Sequence, residues 1–265
     1  MYTKEEIEKI LLRFQNNITF TCVFLTACYT GMRTGEVFAL TWDDIDLDNR
    51  IIKINKTVYA KDKEKNGRWY LGTPKTNESC REVYICDTVY KALYNYKKQQ
   101  QLFKKKYGNE YRKYSLESIK NKYGKIVEYK IIDVKRKNKN SIDMVFVRKD
   151  GTYVGTDVIK YPFKIIHNEL GIKNCRFYDL RGSYATKSLR SGVEIKDVAD
   201  ILGHSRIETT ENYYIYSSDE SRKYVSEIFE RNMQISIIDQ IMKKVEITKK
   251  VEITKKLKLL EKLGK

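Results

Sequence analysis

Residues 30–46 read TGMRTGEVFALTWDDID, and the reading of the fold starts there. The stretch leaves a segment, ITFTCVFLTACYT at 18–30, that is apolar nearly all round. A short helix of that pattern is a buried one, and Gly31 is where it ends. Beyond Gly31 a short amphipathic helix is expected, followed by an acidic turn at Asp43, Asp44 and Asp46. Upstream, Thr3 and Glu6 have the spacing of a capping box, opening a helix through Asn16. Ile7, Ile10, Leu11 and Phe14 line one face of it.

Downstream, residues 51–59, 68–71 and 80–85 are β-branched and aromatic and are bounded by turn residues, the pattern of a small antiparallel sheet. The loop GTPKTNES, 72–79, joins the last two of these strands. Asp87 is placed to cap a long helix running to about Lys106. Residues 107–140 have weak periodicity and read as a basic insertion or mobile segment. DMVFV at 143–147 followed by RKDG reads as a strand and turn. From Thr156 to about Asn232 the chain reads as helices punctuated at Gly171, Gly192 and Gly203. The expected class is mainly α with a small antiparallel β-sheet (α+β). The expected division is 1–232 as one domain and 233–265 as a basic amphipathic tail. That tail holds VEITKK twice in tandem, and two copies cannot build a solenoid.

The chain has 265 residues, 41% hydrophobic and 33% charged, which is globular composition. No apolar run approaches a membrane span, and MYTKEEIEKI lacks the apolar segment of a secretory signal. Five cysteines, Cys22, Cys28, Cys80, Cys86 and Cys175, include no CxxC pair. They read as reduced, mostly buried thiols of a cytoplasmic protein rather than a zinc site or disulfide framework. Lys and Arg number 52 against 35 Asp and Glu, a net charge of +17. Residues 91–140 hold 16 cations against 4 anions, and 241–265 hold 9 against 3. The body between and around them is nearly neutral. A surplus so placed points to a polyanionic partner, and nucleic acid is the commonest. The tyrosines interleaved in 91–140 suit phosphate and sugar contacts.

Several short pieces carry chemistry: Arg33 in the opening stretch, Lys75 in TPKTNES, and Tyr178 with Arg181 in FYDLRGSYAT. His204 follows in LGH, and Tyr213 lies in TTENYY nine residues beyond it. Singly each is weak, since an arginine near Glu36 is as readily half of an ion pair, and LGH is a common helix ending. Their order and spacing together resemble the tyrosine recombinase (phage integrase) family over about residues 3–216. The TGxRxGE…L.W.DI block, the DLRxSYAT block and LGH followed by Tyr213 carry the resemblance.

The resemblance implies a helical catalytic domain that cleaves and rejoins double-stranded DNA through a 3′-phosphotyrosine intermediate. The chemistry agrees with these residue types. Charge on the non-bridging oxygens requires fixed cations, which Arg33 and Arg181 would supply as planar forks. His204 would add a hydrogen bond to the phosphate. Tyr213 would attack phosphorus, with Tyr214 the other tyrosine to weigh. Lys75 would protonate the departing 5′ oxygen, a role the resemblance assigns. No cofactor, ATP or metal is implied, and no paired carboxylates or His/Cys cluster argues otherwise. One departure stands out: the family usually has histidine, sometimes lysine, three residues before the second arginine, where this chain has Tyr178. A phenol hydrogen-bonds but is a poor base near neutral pH. Tyr178 therefore either joins a rearranged proton relay or only packs and orients Arg181. Glu36 and Asp179 read as structural, and His167 as an ordinary helix residue.

The resemblance further implies a homo-tetramer on two DNA sites, a C-terminal segment passed between protomers, and a separate N-terminal DNA-clamping domain not contained in this chain. It points to a bacterial, nucleoid-associated protein that integrates and excises a mobile element or prophage. Resolution, inversion and type IB topoisomerase-like strand transfer share the same chemistry, and a DNA-binding regulator that has lost catalysis is the reading from another class.

Overall fold

A computed structural model describes residues 2–61, 69–72, 80–173 and 175–211. The chain divides into a unit spanning Met1–Ile215, which holds every described residue, and a second unit, Tyr216–Lys265. The expected boundary at Asn232 and the repeated VEITKK lie outside the described residues.

Helix α1 (Lys4–Arg13) opens on the expected capping box: Glu6 N–H donates to Thr3 Oγ1 at 3.2 Å, and Thr3 N–H to Glu6 Oε2 at 2.9 Å. Helix α2 (Ile18–Thr30) is buried as its composition requires, with Phe20, Val23, Phe24 and Ala27 in the core. Each phenylalanine so buried contributes about 1.5–3 kcal/mol. Thr26 and Thr30 are buried too, and their hydroxyls donate back to the carbonyls of Cys22 and Thr26. That removes the cost of burying them. Helix α3 (Thr34–Phe38) follows, then α4 (Asp87–Tyr107), α5 (Lys160–Asn168), α6 (Asp179–Arg190), α7 (Ile195–Leu202) and α8 (Glu208–Glu211). Helix α2 packs against both α4 and α6. The class is mainly α with small antiparallel sheets.

The sheets differ from the expected single one. Strands β1 (Ile45–Asp46), β2 (Ile51–Ile54) and β5 (Arg81–Tyr84) form one antiparallel sheet in the order β1-β2-β5. Strands β3 (Thr57–Ala60), β4 (Trp69–Gly72), β6 (Lys113–Lys120), β7 (Ile126–Val134) and β8 (Ser141–Ile142) form another, ordered β3-β4-β7-β6-β8. The stretch 51–59, expected as one strand, breaks at Asn55–Lys56, where the Lys56 ammonium pairs with buried Asp44. An ion pair drawn toward β1 ends one strand and lets the chain start another in a different sheet.

The basic insertion is likewise not irregular. Residues 113–134 form a hairpin whose strand β7 pairs with β4. Strand β6, KYSLESIK, alternates only through Tyr114 and Leu116, and β7, IVEYKIIDV, sets apolar residues side by side at 126–127 and 131–132, so neither gives a clean two-residue hydrophobic period. Asp87 is the first residue of α4 rather than its cap, and its carboxylate pairs with Arg50. DMVFV forms isolated bridges, Thr41 with Met144 and Val147 with Tyr153, and no longer strand. Of the cysteines only Cys22 and Cys175 are buried. Cys80 and Cys86 are exposed, because they flank strand β5 instead of lying in it.

Candidate active site

Two glycines shape the entry to the site. Gly31 ends α2 at φ +64°, and a Cβ there would stand 2.8 Å from both Leu202 and Tyr184. Gly35 lies so close to β3 that a Cβ would meet Thr57 Oγ1 at 2.4 Å. Between them Arg33 is the residue before α3. Its own N–H donates to Glu36 Oε2 at 2.8 Å and its Nη1 to Glu36 Oε1 at 2.7 Å. Glu36 therefore caps the helix and orients the guanidinium at once.

Glu36 is 4% exposed and serves a second arginine. Arg81, at the start of β5, donates from Nη1 and Nη2 to the two carboxylate oxygens at 3.2 and 2.9 Å. Burial pushes the Glu36 carboxyl up, but the bonds and charge of Arg81 and Arg33 outweigh it and hold it below the usual carboxylate range.

The end of α7 supplies the other anchor. Gly203 N–H bonds to Asp200 O and His204 N–H to Ala199 O, with Gly203 at φ +67°. That is a Schellman ending, and it explains the LGH triplet: glycine takes the left-handed position and histidine follows it. The last carbonyls of a helix have no intrahelical partners and sit at the negative end of its dipole. Here each of three takes an arginine. Arg81 Nε donates to Ile201 O, Arg181 Nη2 to Leu202 O at 2.8 Å, and Arg33 Nη2 to Gly203 O at 2.8 Å.

Arg181, on α6, is 1% exposed and also donates from Nη1 to Gly31 O at 2.8 Å. Its Nε is buried with no acceptor among the described residues. Burial, reinforced by the charges of Arg33 and Arg81 against the pull of Glu36, lowers its pKa to about 10, so it remains a cation at neutral pH. His204 Nδ1 lies 2.7 Å from the Oγ1 of Thr210, a buried residue of α8. Burial and the cations Arg181, Arg33 and Arg81 push the imidazole down to about 4. The ring is therefore neutral in the free protein.

The structure thus brings Arg33, Arg181 and His204 together around the end of α7, with Glu36 among them. Tyr178, directly before α6, is 49% exposed; its carbonyl accepts the Arg181 N–H at 3.1 Å, while the Arg181 guanidinium bonds two other carbonyls. Lys75, Tyr213 and Tyr214 lie outside the described residues. Asp179 accepts from the backbone and guanidinium of Arg176, a structural role. His167 bonds the Cys175 carbonyl. Arg81 escaped the sequence reading although a signal existed: strand alternation puts it on the face of buried Val83, where a cation needs a buried anion. Thr210 left no such signal.

Among the described residues no cluster of His, Cys, Asp or Glu is arranged to hold a metal, and no helix is long and apolar enough to cross a membrane. The fold matches solved integrases. Chains of the Tn1549 transposon integrase in complex with a circular intermediate DNA align with a TM-score of 0.62 at 19% identity, covering 86% of this chain and 65% of that one. XerA recombinase aligns at 0.56 and 19% identity, over 88% of this chain and 65% of that one. By sequence the chain is 28% identical over 220 residues to a tyrosine recombinase XerC-like protein of Caldanaerobacter subterraneus, covering 81% of this chain and 50% of the relative. It is 26% identical over 211 residues to the ICEBs1 integrase of Bacillus subtilis, covering 79% and 48%. The chain spans about half the length of the curated relatives it matches. The phage integrase family model covers residues 1–221, and with the TGMRTGE, DLRGSYAT and LGH blocks folded around one helix end, the chain belongs to that family.

Proposed function

We propose that this chain carries the catalytic domain of a site-specific tyrosine recombinase, which cleaves and rejoins double-stranded DNA through a 3′-phosphotyrosine intermediate. One observation carries the reading: three guanidiniums gather at the end of α7, and that of Arg181, 1% exposed, bonds only carbonyls and leaves a buried Nε with no acceptor among the described residues. Buried cations without counter-ions are costly, and the cost falls when an anion enters. A phosphodiester brings one negative charge, and its five-coordinate transition state brings two. Fixed cations set against the non-bridging oxygens gain more from the added charge of the transition state than from the ground state, which is the condition for catalysis.

Arg33 and Arg181 bind the non-bridging oxygens, the latter through the Nε that lacks an acceptor. Neutral His204 donates to a phosphate oxygen from Nε2, which requires Thr210 to donate to Nδ1. Tyr213 attacks phosphorus as its phenolic proton passes to water, and the P–O5′ bond breaks with the 5′ oxygen taking a proton from Lys75. The phosphotyrosine retains the bond energy for the reverse step. Tyr178 assists as a hydrogen-bonding group at the rim of the site. The biological setting we assign is integration and excision of a mobile element, because the relatives include an ICEBs1 integrase and the transposase from transposon Tn916. We further propose a working homo-tetramer on two DNA sites, with the tail beyond Asn232 packing on a neighbouring protomer, in the nucleoid of a bacterial cytoplasm.

The test is a duplex carrying the element's recombination site with a nick beside the crossover point. The chain should form a denaturation-resistant adduct with it. Tyr213→Phe should form none, while Tyr214→Phe should still do so. No adduct with the unmutated chain sinks the enzymatic reading and leaves the regulator.

A further inference from the structure

The basic segment 91–140 does not offer its charge evenly. Lys104 and Lys137 both pair with Asp143, and Arg112 pairs with Asp133. Lys97 lies over the ring of Trp42 and Lys98 over that of Tyr94. At the turn of the β6–β7 hairpin the situation changes. Residues 118–127 read SIKNKYGKIV, with three lysines and no acid. Lys120, Lys122 and Lys125 are exposed, and none has an ion-pair partner among the described residues. Tyr123 is 78% exposed between them, with the Lys122 ammonium 4.9 Å above its ring.

The turn is a preformed shape rather than a loose loop. Asn121 Oδ1 accepts the N–H groups of Tyr123 and Lys125 at 2.9 and 3.1 Å. Asn121 N–H donates to Lys125 O, and Gly124, at φ +77°, donates to Asn121 O. Four cross-turn bonds hold the two flanking lysines at fixed separation, lowering the entropy lost when they bind.

Register fixes where the turn projects. Strand β7 pairs antiparallel with β4, with Tyr70 opposite Lys130 and Gly72 opposite Glu128. Walking back along β7 from Lys130 toward the turn follows β4 forward toward Gly72. At about 3.3 Å per residue, the turn therefore reaches roughly 15 Å past the end of β4. At that same end Thr57 of β3 stands opposite Gly72 and packs against Gly35, two residues from Arg33. The finger thus extends from the end of the sheet that abuts the candidate site.

We propose that the β6–β7 hairpin is a DNA-gripping finger. Lys120, Lys122 and Lys125 bind phosphates of the duplex beside the cleavage site, and Tyr123 lies against the sugar-phosphate wall between them. This rests on the recombinase reading, and its test separates the two. The affinity of the chain for a fluorescently labelled duplex of arbitrary sequence is measured across a salt series. The triple change Lys120→Gln, Lys122→Gln, Lys125→Gln alters only exposed side chains in and beside the turn. It is compared with the charge-matched set Lys9→Gln, Lys164→Gln, Lys196→Gln, on α1, α5 and α7. Three lost phosphate contacts should reduce the slope of log affinity against log salt by about 2–3 in the finger variant and leave it unchanged in the other. Tyr123→Ala should weaken binding with the slope kept. Equal slopes in the finger variant and the unmutated chain, or equal changes in both triples, overturn the finger while leaving DNA binding in place. No binding by the unmutated chain overturns the recombinase reading itself.

Discussion

Arg33 and Arg181 hang from adjacent carbonyls at the end of α7, Gly203 O and Leu202 O, each at 2.8 Å. The two arginines, one capping α3 and one in α6, lie about half the chain apart in sequence, yet one helix end sets both. Arg81 completes the row at Ile201 O. The negative end of the α7 dipole and Glu36 together offset the repulsion among three like charges.

That arrangement makes Arg181→Lys a sharp test. A lysine has one ammonium and cannot span Gly31 O and Leu202 O while offering a third N–H to phosphate. Cleavage of a nicked duplex should fall by about 100- to 1,000-fold, the usual loss when one transition-state donor is removed. DNA affinity should stay within a few-fold, since finger and surface lysines remain. Gel-shift and adduct assays on the same preparation separate the two effects. Cleavage within a few-fold of the unmutated rate would contradict the role given to the planar fork.

Glu36→Gln keeps the shape but removes the only carboxylate bonded to the arginine cluster among the described residues. Breaking a buried ion pair by deleting one partner costs about 3–5 kcal/mol. At about 2–4 °C per kcal/mol for a domain of this size, the melting temperature should fall by roughly 10 °C. An oxyanion that enters the site substitutes for part of the lost charge, so added phosphate should restore more stability to Glu36→Gln than to the unmutated chain. Differential scanning fluorimetry with and without phosphate checks this.

Most of the helical frame was legible. Thr3 with Glu6, the all-apolar run 18–30 and the glycines at 31, 171, 192 and 203 mark ends and faces by local chemistry, and local chemistry is written in adjacent residues. Arg33, Arg181 and His204 were legible only as a spaced set, because their meeting depends on the end of α7, 170 residues from Arg33 in sequence. The sheets were misread where tertiary bonds overrode propensity or the period was broken: Lys56 pairs with Asp44 at the break in one strand, and the finger's apolar residues at 126–127 and 131–132 fall side by side rather than alternating. Arg81 was hidden by residue type. A cation in a strand reads as exposed until its buried carboxylate, 45 residues away, is seen.

Gly31→Ala tests the link between a backbone turn and the chemistry. At φ +64° an alanine is strained, and its Cβ would stand 2.8 Å from Tyr184 and Leu202. The strain costs about 1–3 kcal/mol. Relief moves the 31 carbonyl, which holds Arg181, and Leu202, whose carbonyl holds it too. Cleavage should therefore fall by more than the lost folded fraction explains. Adduct yield normalised to folded protein by circular dichroism is the measurement, and a normalised yield equal to the unmutated one would contradict the link.

Thr210→Val removes the hydroxyl beside His204 Nδ1 at nearly constant volume. With no donor there, the neutral ring is free to keep its proton on Nδ1, and Nε2 then faces phosphate as an acceptor. Cleavage should drop by about 100- to 1,000-fold, the loss expected when one transition-state donor is removed, with DNA affinity unchanged. Thr210→Ser should recover most of the rate. A rate in Thr210→Val equal to the unmutated one would show that the hydroxyl does not set the tautomer.

The depressed His204 also makes the free chain sensitive to acid. Its pKa is about 4 when folded against an ordinary value of 6.5, so between these values the unfolded chain binds more protons than the folded one. Stability from this group is then fully present above about pH 6.5 and declines as pH falls through the window toward 4. Removing the titrating group as His204→Gln should flatten that part of the profile: denaturant midpoints compared near pH 7 and near pH 5 should fall further for the unmutated chain than for the variant. Equal falls would place the acid sensitivity in other groups. Duplex DNA should shrink the difference, because a phosphate set against the imidazole favours its protonated form and raises the folded pKa toward the unfolded one. A single ring thus reports, through a stability measurement alone, whether an anion occupies the place between Arg33 and Arg181.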